Sequence, residues 1–403
     1  MKNIKKLCSI ALASAAIVFF LVLVSSTASA SITEIRITTS GTAENPAIYS
    51  NNVVWQDFRN GNWDIYLYNL STGGESRITN ESNQHSPDTY DNWIVWTDER
   101  DISTIEGYEI YVFNLSTGDE SKIANGDVAD PAVYGSRILY MSSTADWHVE
   151  MYDISNREIT VISDLLVVSS NPAIYNDKIV WSCRDTLGDA NIYLRDLSTA
   201  KKIQISTSGK AFNPDIYGNK IVWQDDRNGN FDIYMYDLST RKETRITRNK
   251  SDSENPVIYE NSIVWQDNRN GNWDIYAYDL ATRQQIHITE KSDQVMPAIY
   301  DNKLVWTDYR NGNPDIYMGT ISYLPVAAFT APHTSGKAPL TVKFIDRSKD
   351  AYYWFWNFGD KSTSTAQSPV HKYNKPGKYT VSLIVKNAAG SDTKTAYSMI
   401  TVR

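Results

Sequence analysis

The side chains in this chain best placed to do chemistry sit in a repeated loop. The run Asp225-Asp226-Arg227-Asn228-Gly229-Asn230-Phe231-Asp232 has close copies at 57–64, 267–274 and 308–315. Asp225, Asn228, Asn230 and Asp232 offer oxygen ligands of the kind calcium takes. The arginine inside each copy works against a bound cation, and no copy extends into the twelve-residue calcium loop that ends in glutamate. Turn chemistry explains the same residues: Asn228-Gly229 makes a tight hairpin turn, while Asp225 and Arg227 pair or cap the loop. We expect the turn, with no metal and no cofactor; calcium at Asp225, Asn228, Asn230 and Asp232 is the secondary reading.

Other reactive residues are scattered. The five histidines are His85, His148, His287, His333 and His371, and no two stand at metal-ligand spacing. Neither His-Glu-x-x-His nor Gly-x-Ser-x-Gly occurs. Ser239-Thr240-Arg241-Lys242 matches Ser-x-x-Lys, but it falls at a strand-to-strand turn and lacks its Ser-Asp-Asn and Lys-Thr-Gly companions. Cys183 is the only cysteine after Cys8, so it has no intramolecular disulfide partner once the first thirty residues are removed. With no predicted basic neighbour it reads as a packed structural thiol. No catalytic residue is expected, and the chain is not read as an enzyme.

The elements that hold these loops follow from a repeat. Pro46-Ala47-Ile48-Tyr49, followed by Val53-Val54-Trp55-Gln56-Asp57, recurs from Pro87, Pro131, Pro172, Pro214, Pro256 and Pro297. Nine residues after each proline stands Trp55, Trp96, Tyr140, Trp181, Trp223, Trp265 or Trp306. Each unit of about forty residues holds four short strands, the first beginning at the repeated proline, the signature of a propeller blade. The outer strand, of the type Arg77-Ile78-Thr79, also occurs seven times, but its first copy, at Arg36, precedes the first proline. The spacing therefore predicts seven blades, with Glu34–Thr38 pairing onto Asp315–Met318 to close the last one. Tryptophans at one register inside an apolar strand predict packing between blades, leaving Trp63, Trp147 and Trp273, beside loops, as better candidates for exposure.

The fourfold Asp-x-Arg-Asn-Gly-Asn-x-Asp-Ile-Tyr run resembles the repeat of TolB-type (WD40-like) propellers over residues 31–322. Blade three departs most, with Tyr140 for tryptophan and Ser142 for aspartate, and blade four has Cys183 at that aspartate position. After a short linker at 323–326, Trp356-Asn357-Phe358-Gly359-Asp360 and Pro376-Gly377-Lys378-Tyr379-Thr380-Val381 resemble the PKD domain, an immunoglobulin-like sandwich over 327–403. There Lys361 replaces a usual glycine, and Trp354, Trp356 and Phe358 are placed on one core-facing strand face. The fold expected is all-β throughout.

The first thirty residues read as a cleaved secretory signal: Lys2–Lys6, an apolar run Leu7–Val24, then Ala28-Ser29-Ala30. No membrane span is expected after cleavage. The formal charge of −8 becomes −11 without Lys2, Lys5 and Lys6, which argues against a nucleic-acid partner. Sequons at Asn69, Asn80, Asn114 and Asn249 are candidate glycan acceptors, with Asn80 and Asn249 in inter-blade loops. Together these features predict a monomeric, exported, non-catalytic recognition or scaffold protein binding envelope proteins or glycans through propeller loops. The combination is similar to archaeal surface-layer-type proteins; a TolB-like adaptor is the alternative, and a glycan-acting enzyme comes third.

Overall fold

The computed structural model describes residues 31–100, 107–143, 147–163, 168–289, 291–387 and 389–403. The signal-peptide reading at 1–30 lies outside the described residues. Seven four-stranded antiparallel sheets make up residues 31–322. In blade five the strands run, from the axis outward, Ala211–Tyr217, Lys220–Asp225, Asp232–Asp237 and Lys242–Arg245; we call them A, B, C and D. Blade seven takes its D strand from the other end of the chain. Ser31–Arg36 pairs antiparallel with Asp315–Ser322, from Ser31 opposite Ser322 to Arg36 opposite Tyr317. The predicted closure is present, and it leaves no open seam in the ring.

Burial follows the repeat. Trp55, Trp96, Trp181, Trp223, Trp265 and Trp306 are fully buried. They pack between blades: Val54 and Ile65 of blade one meet Ile94, Trp96 and Tyr111 of blade two. Because A, B, C and D alternate in direction, the B–C and D–A loops share one face of the disc, here the loop face. The A–B and C–D turns share the other.

Two local expectations need correction. Asn228-Gly229 is not a two-residue hairpin turn: the B and C strands are joined by residues 226–231, where Gly229 N–H donates to the Asp226 carbonyl at 2.9 Å. Only Gly229 is left-handed, at φ +92°, so the asparagine sits in an ordinary turn position. The repeated proline also does not begin strand A. Strand A of blade one covers Ala43–Tyr49, with a bulge between Glu44 and Ala47 that contains Pro46.

The C-terminal domain has a five-stranded sheet facing two short strand pairs. Trp356, Phe344, Phe358, Tyr373 and Leu383 form its buried centre. Phe358 lies beyond the strand Tyr353–Asn357, and Trp354 is only partly buried, its Nε1 donating to Asp346 Oδ2 at 2.9 Å. All three aromatics nevertheless serve the core as expected, Trp356 and Phe358 within it and Trp354 packed against it. Lys361 adopts φ +76°, the conformation a glycine would favour. Tyr323, in the predicted linker, is tied to both domains: its hydroxyl lies 2.9 Å from Ser262 Oγ, and its carbonyl accepts from Asn387 Nδ2 at 2.6 Å.

Candidate functional site

The repeated loops take up their own carboxylate oxygens. Asp225 is fully buried, and accepts from Arg227 Nε at 2.9 Å and Nη2 at 2.5 Å, Trp223 Nε1 at 3.1 Å and Ser208 Oγ at 2.7 Å. Burial pushes the Asp225 pKa up, but the hydrogen bonds from Arg227, Ser208 and Trp223 outweigh it and hold the carboxyl below its ordinary value. The Arg227 guanidinium lies over the Tyr234 ring, 4.2 Å from its centroid, and reaches Glu243 of strand D at 2.7 Å. Asp232 is paired with Arg245 at 2.7 Å and accepts from Thr247 Oγ1. Asn228 Nδ2 donates to the Tyr234 hydroxyl, and Asn230 Nδ2 to the Ser251 carbonyl in the next inter-blade loop. These four residues are thus bound into an internal lock. Among the described residues no group of three His, Cys, Asp or Glu side chains could hold a metal.

The same lock joins Asp57 to Arg59, Asp98 to Arg100, Asp267 to Arg269 and Asp308 to Arg310, each arginine lying over a tyrosine. In blade seven it spans the closure, since Arg310 reaches Glu34 and Arg36 reaches Asp315. Blades three and four have Ser142 and Cys183 at the aspartate position, both buried. There Trp181 Nε1 finds no acceptor among the described residues.

Strand A supplies a different site. Its last residue is Tyr49, Tyr90, Tyr134, Tyr175, Tyr217, Tyr259 or Tyr300, and these seven form a closed ring around the axis with neighbouring centroids 4.2–5.3 Å apart. The ring surrounds a chamber of about 210 Å³ that Ile48 and Ile299 also line. Nearer the loop face, the bulges line a funnel of about 370 Å³. The residue before each proline is left-handed in all seven blades: Asn45, Ser86, Asp130, Asn171, Asn213, Asn255 and Met296 have φ between +48° and +55°. The amide turned out by this bulge is satisfied from the preceding blade, Ser86 N–H by Gln56 Oε1 at 3.0 Å and Asn255 N–H by Gln224 Oε1 at 2.8 Å. Asp88 and Asp215 also face the funnel, and accept from Val133 N–H at 2.8 Å and Ile258 N–H at 2.7 Å in the next blade. Burial pushes both up to about 6 despite these bonds.

The loop face carries a set of aromatics at one repeat position, where strand C begins: Trp63, Tyr108, Trp147, Phe231 and Trp273. Trp147 and Tyr108 are exposed, and Trp63, Phe231 and Trp273 are half-buried. The main chain there is held without the rings. Trp63 N–H donates to Asn83 Oδ1 and its carbonyl accepts from Gln84 N–H; Phe231 and Trp273 repeat both bonds with the next inter-blade loop. Of the sequons, Asn80 is exposed on this face, while Asn249 Nδ2 donates to Asp267 Oδ2 at 3.0 Å. Asn69 and Asn114 cap the C–D turns of their blades through Oδ1. The tyrosine ring and the funnel escaped the sequence reading, although the Pro-x-x-Tyr step occurs in all seven units.

Residues 324–402 match the PKD domain. That match is to the family model of this name, and PKD domains are typical of extracellular proteins. Collagenase ColA of Bacillus cereus is 49% identical over 41 residues, in the PKD region. The match covers 10% of this chain, and the chain spans only 4% of that collagenase. The propeller is similar to the β-propeller domain of the trilobed protease from Pyrococcus furiosus, with a TM-score of 0.57 at 13% identity over 70% of this chain and 94% of that one. That domain is described as having an open velcro topology, whereas this ring is closed by Ser31–Arg36. TolB from Acinetobacter baumannii aligns over 69% of this chain and 78% of its own, at 16% identity and a TM-score of 0.44. The family match and the likeness to the trilobed-protease propeller establish the fold: an all-β propeller followed by a PKD domain.

Proposed function

We propose that this chain is an exported, non-catalytic recognition protein of the cell surface that binds glycan on the loop face of its propeller. One observation carries the proposal. Five of seven blades present a large aromatic at this position, and in the three with Trp63, Phe231 and Trp273 the backbone is held by Asx and main-chain bonds rather than by the rings. Partly exposed aromatic faces beside asparagine and aspartate side chains suit sugar rings, which stack on one and hydrogen-bond to the other. The PKD domain, typical of extracellular proteins, supports a location outside the cell, as does the signal-like N-terminus.

Binding of envelope polysaccharide by residues 31–403 tests the proposal. Replacing Trp63 and Trp273 together by alanine should weaken binding at least about tenfold without loss of the folded state. Unchanged glycan affinity in that variant refutes it. Capture of an envelope protein with no glycan binding favours the TolB-like adaptor instead.

A further inference from the structure

We propose that the axial chamber and funnel form a second binding site, for an alkylammonium group whose methylene chain lies within the tyrosine ring and whose charge meets Asp88 and Asp215. This site is separate from the aromatic loop face and does not depend on glycan binding there.

The repeat serves as its own control. The position after the repeated proline is Ala47, Ala132, Ala173, Val257 or Ala298 in five blades, and aspartate only in blades two and five. A blade therefore forms without a carboxylate there. The two that exist face a shared cavity with only backbone N–H donors for partners. Unlike Asp57, Asp98, Asp225, Asp267 and Asp308 of the peripheral lock, neither has an arginine or lysine as a partner among the described residues. Asp130 also lines the funnel, and no basic residue does. An ionised carboxylate held in such a cavity is costly, and a cationic ligand offsets that cost.

Chamber shape selects the rest of the ligand. Centroid spacings of 4.2–5.3 Å around a seven-membered ring put the tyrosines roughly 5 Å from the axis, a bore on the scale of one extended chain rather than a folded segment. Its wall is aromatic carbon and isoleucine, with phenolic oxygens as acceptors. Methylenes fit that wall, and the ammonium fits the funnel beyond it. A free polyamine and a lysine side chain share this chemistry.

Calorimetric titration of residues 31–403 with 1,5-diaminopentane, spermidine and Nα-acetyl-lysine amide, against neutral 1,5-pentanediol, tests the assignment. The amines should bind saturably and the diol should not. The Asp88→Asn/Asp215→Asn variant should weaken amine binding at least about tenfold while retaining the folded spectrum, because asparagine still accepts from Val133 and Ile258 N–H. Tyr217→Phe, a milder change, should weaken it less. Stronger binding of spermidine identifies a free polyamine, and comparable binding of the lysine amide identifies a partner's side chain. Equal binding of diol and diamine, no saturable amine binding, or indifference to the aspartate substitutions overturns the assignment. The Trp63→Ala/Trp273→Ala variant should bind the amines normally, so failure of the glycan proposal and failure of this one are told apart.

Discussion

The periphery and the axis of the propeller use the same residue, aspartate, to opposite effect, fully buried at the one and half-buried at the other. At the periphery Asp57, Asp225 and Asp267 are held below the ordinary carboxylate range by an arginine two residues on, by hydroxyl donors and by the indole of the same strand. At the axis Asp88 and Asp215 have only amide donors, and burial holds them up at about 6. The first group stabilises its blades as charge, whereas the second costs stability as charge. Residues that a fold keeps against its own stability are where a ligand is to be sought. The peripheral aspartates explain the architecture, and the axial ones point to use.

The largest effect should come from breaking the lock. Asp225→Ala leaves the Arg227 guanidinium, the Trp223 indole and Ser208 without their acceptor, and should cost about 2–4 kcal/mol in chemical denaturation. Cys183→Ala, at the equivalent position of an unlocked blade, should cost less than about 2 kcal/mol. Similar losses in both variants would show that the lock adds nothing to packing.

A lock can also be built where the chain has none. Cys183→Asp alone buries an unpaired charge beside Trp181 and should destabilise. In a Lys202→Glu background, which clears the Tyr193 ring and restores the counterpart of Glu243, adding Asp185→Arg at the spacing of Asp225 and Arg227 should recover much of the loss. A double-mutant cycle should give a coupling of about 1–3 kcal/mol, net of the bonds that Asp185 now makes to the Leu187 and Asp189 amides. Additive effects would mean that the lock needs more of its blade than these two residues.

The smallest effect is one of pH. Folded Asp88 and Asp215 keep their protons up to about pH 6, while the unfolded chain gives them up near pH 4. Their contribution therefore falls as pH rises through this window. Peripheral carboxylates behave oppositely: their contribution is present above about pH 4 and lost as pH falls below it. The Asp88→Asn/Asp215→Asn variant should thus melt higher than the parent near about pH 8, with the gap closing near about pH 4.5. A gap independent of pH would show that the axial carboxylates do not titrate in this range.

The blades were legible in the sequence because proline and tryptophan keep a fixed spacing of nine residues, and blade closure was legible because the outer strand was counted out of phase with them. What that spacing does not carry is anything created when the ring closes. Seven tyrosines 41–44 residues apart become neighbours only on the axis. The bulge before each proline was hidden for another reason. A residue preceding proline favours extended backbone, yet Asn45 and Met296 are left-handed, and their amides are held by Thr307 and Gln266 of the preceding blade. Tertiary bonds override the local preference, and the varied residues there leave no pattern to read. In the Asp225–Asp232 loop the arginine was visible in the sequence, but its stacking on Tyr234 was not.

The closing strand has a mechanical consequence. Ser31 lies opposite Ser322, so the chain enters the ring and leaves it toward Tyr323 at the same end of one antiparallel pair. Tension applied at Ser31 and at Tyr323 peels that pair open one hydrogen-bonded step at a time instead of shearing all its bonds together. Under a pull the ring is therefore a zipper that parts first between Ser31–Arg36 and its partner strand, lengthening the tether while the remaining six blades stay folded.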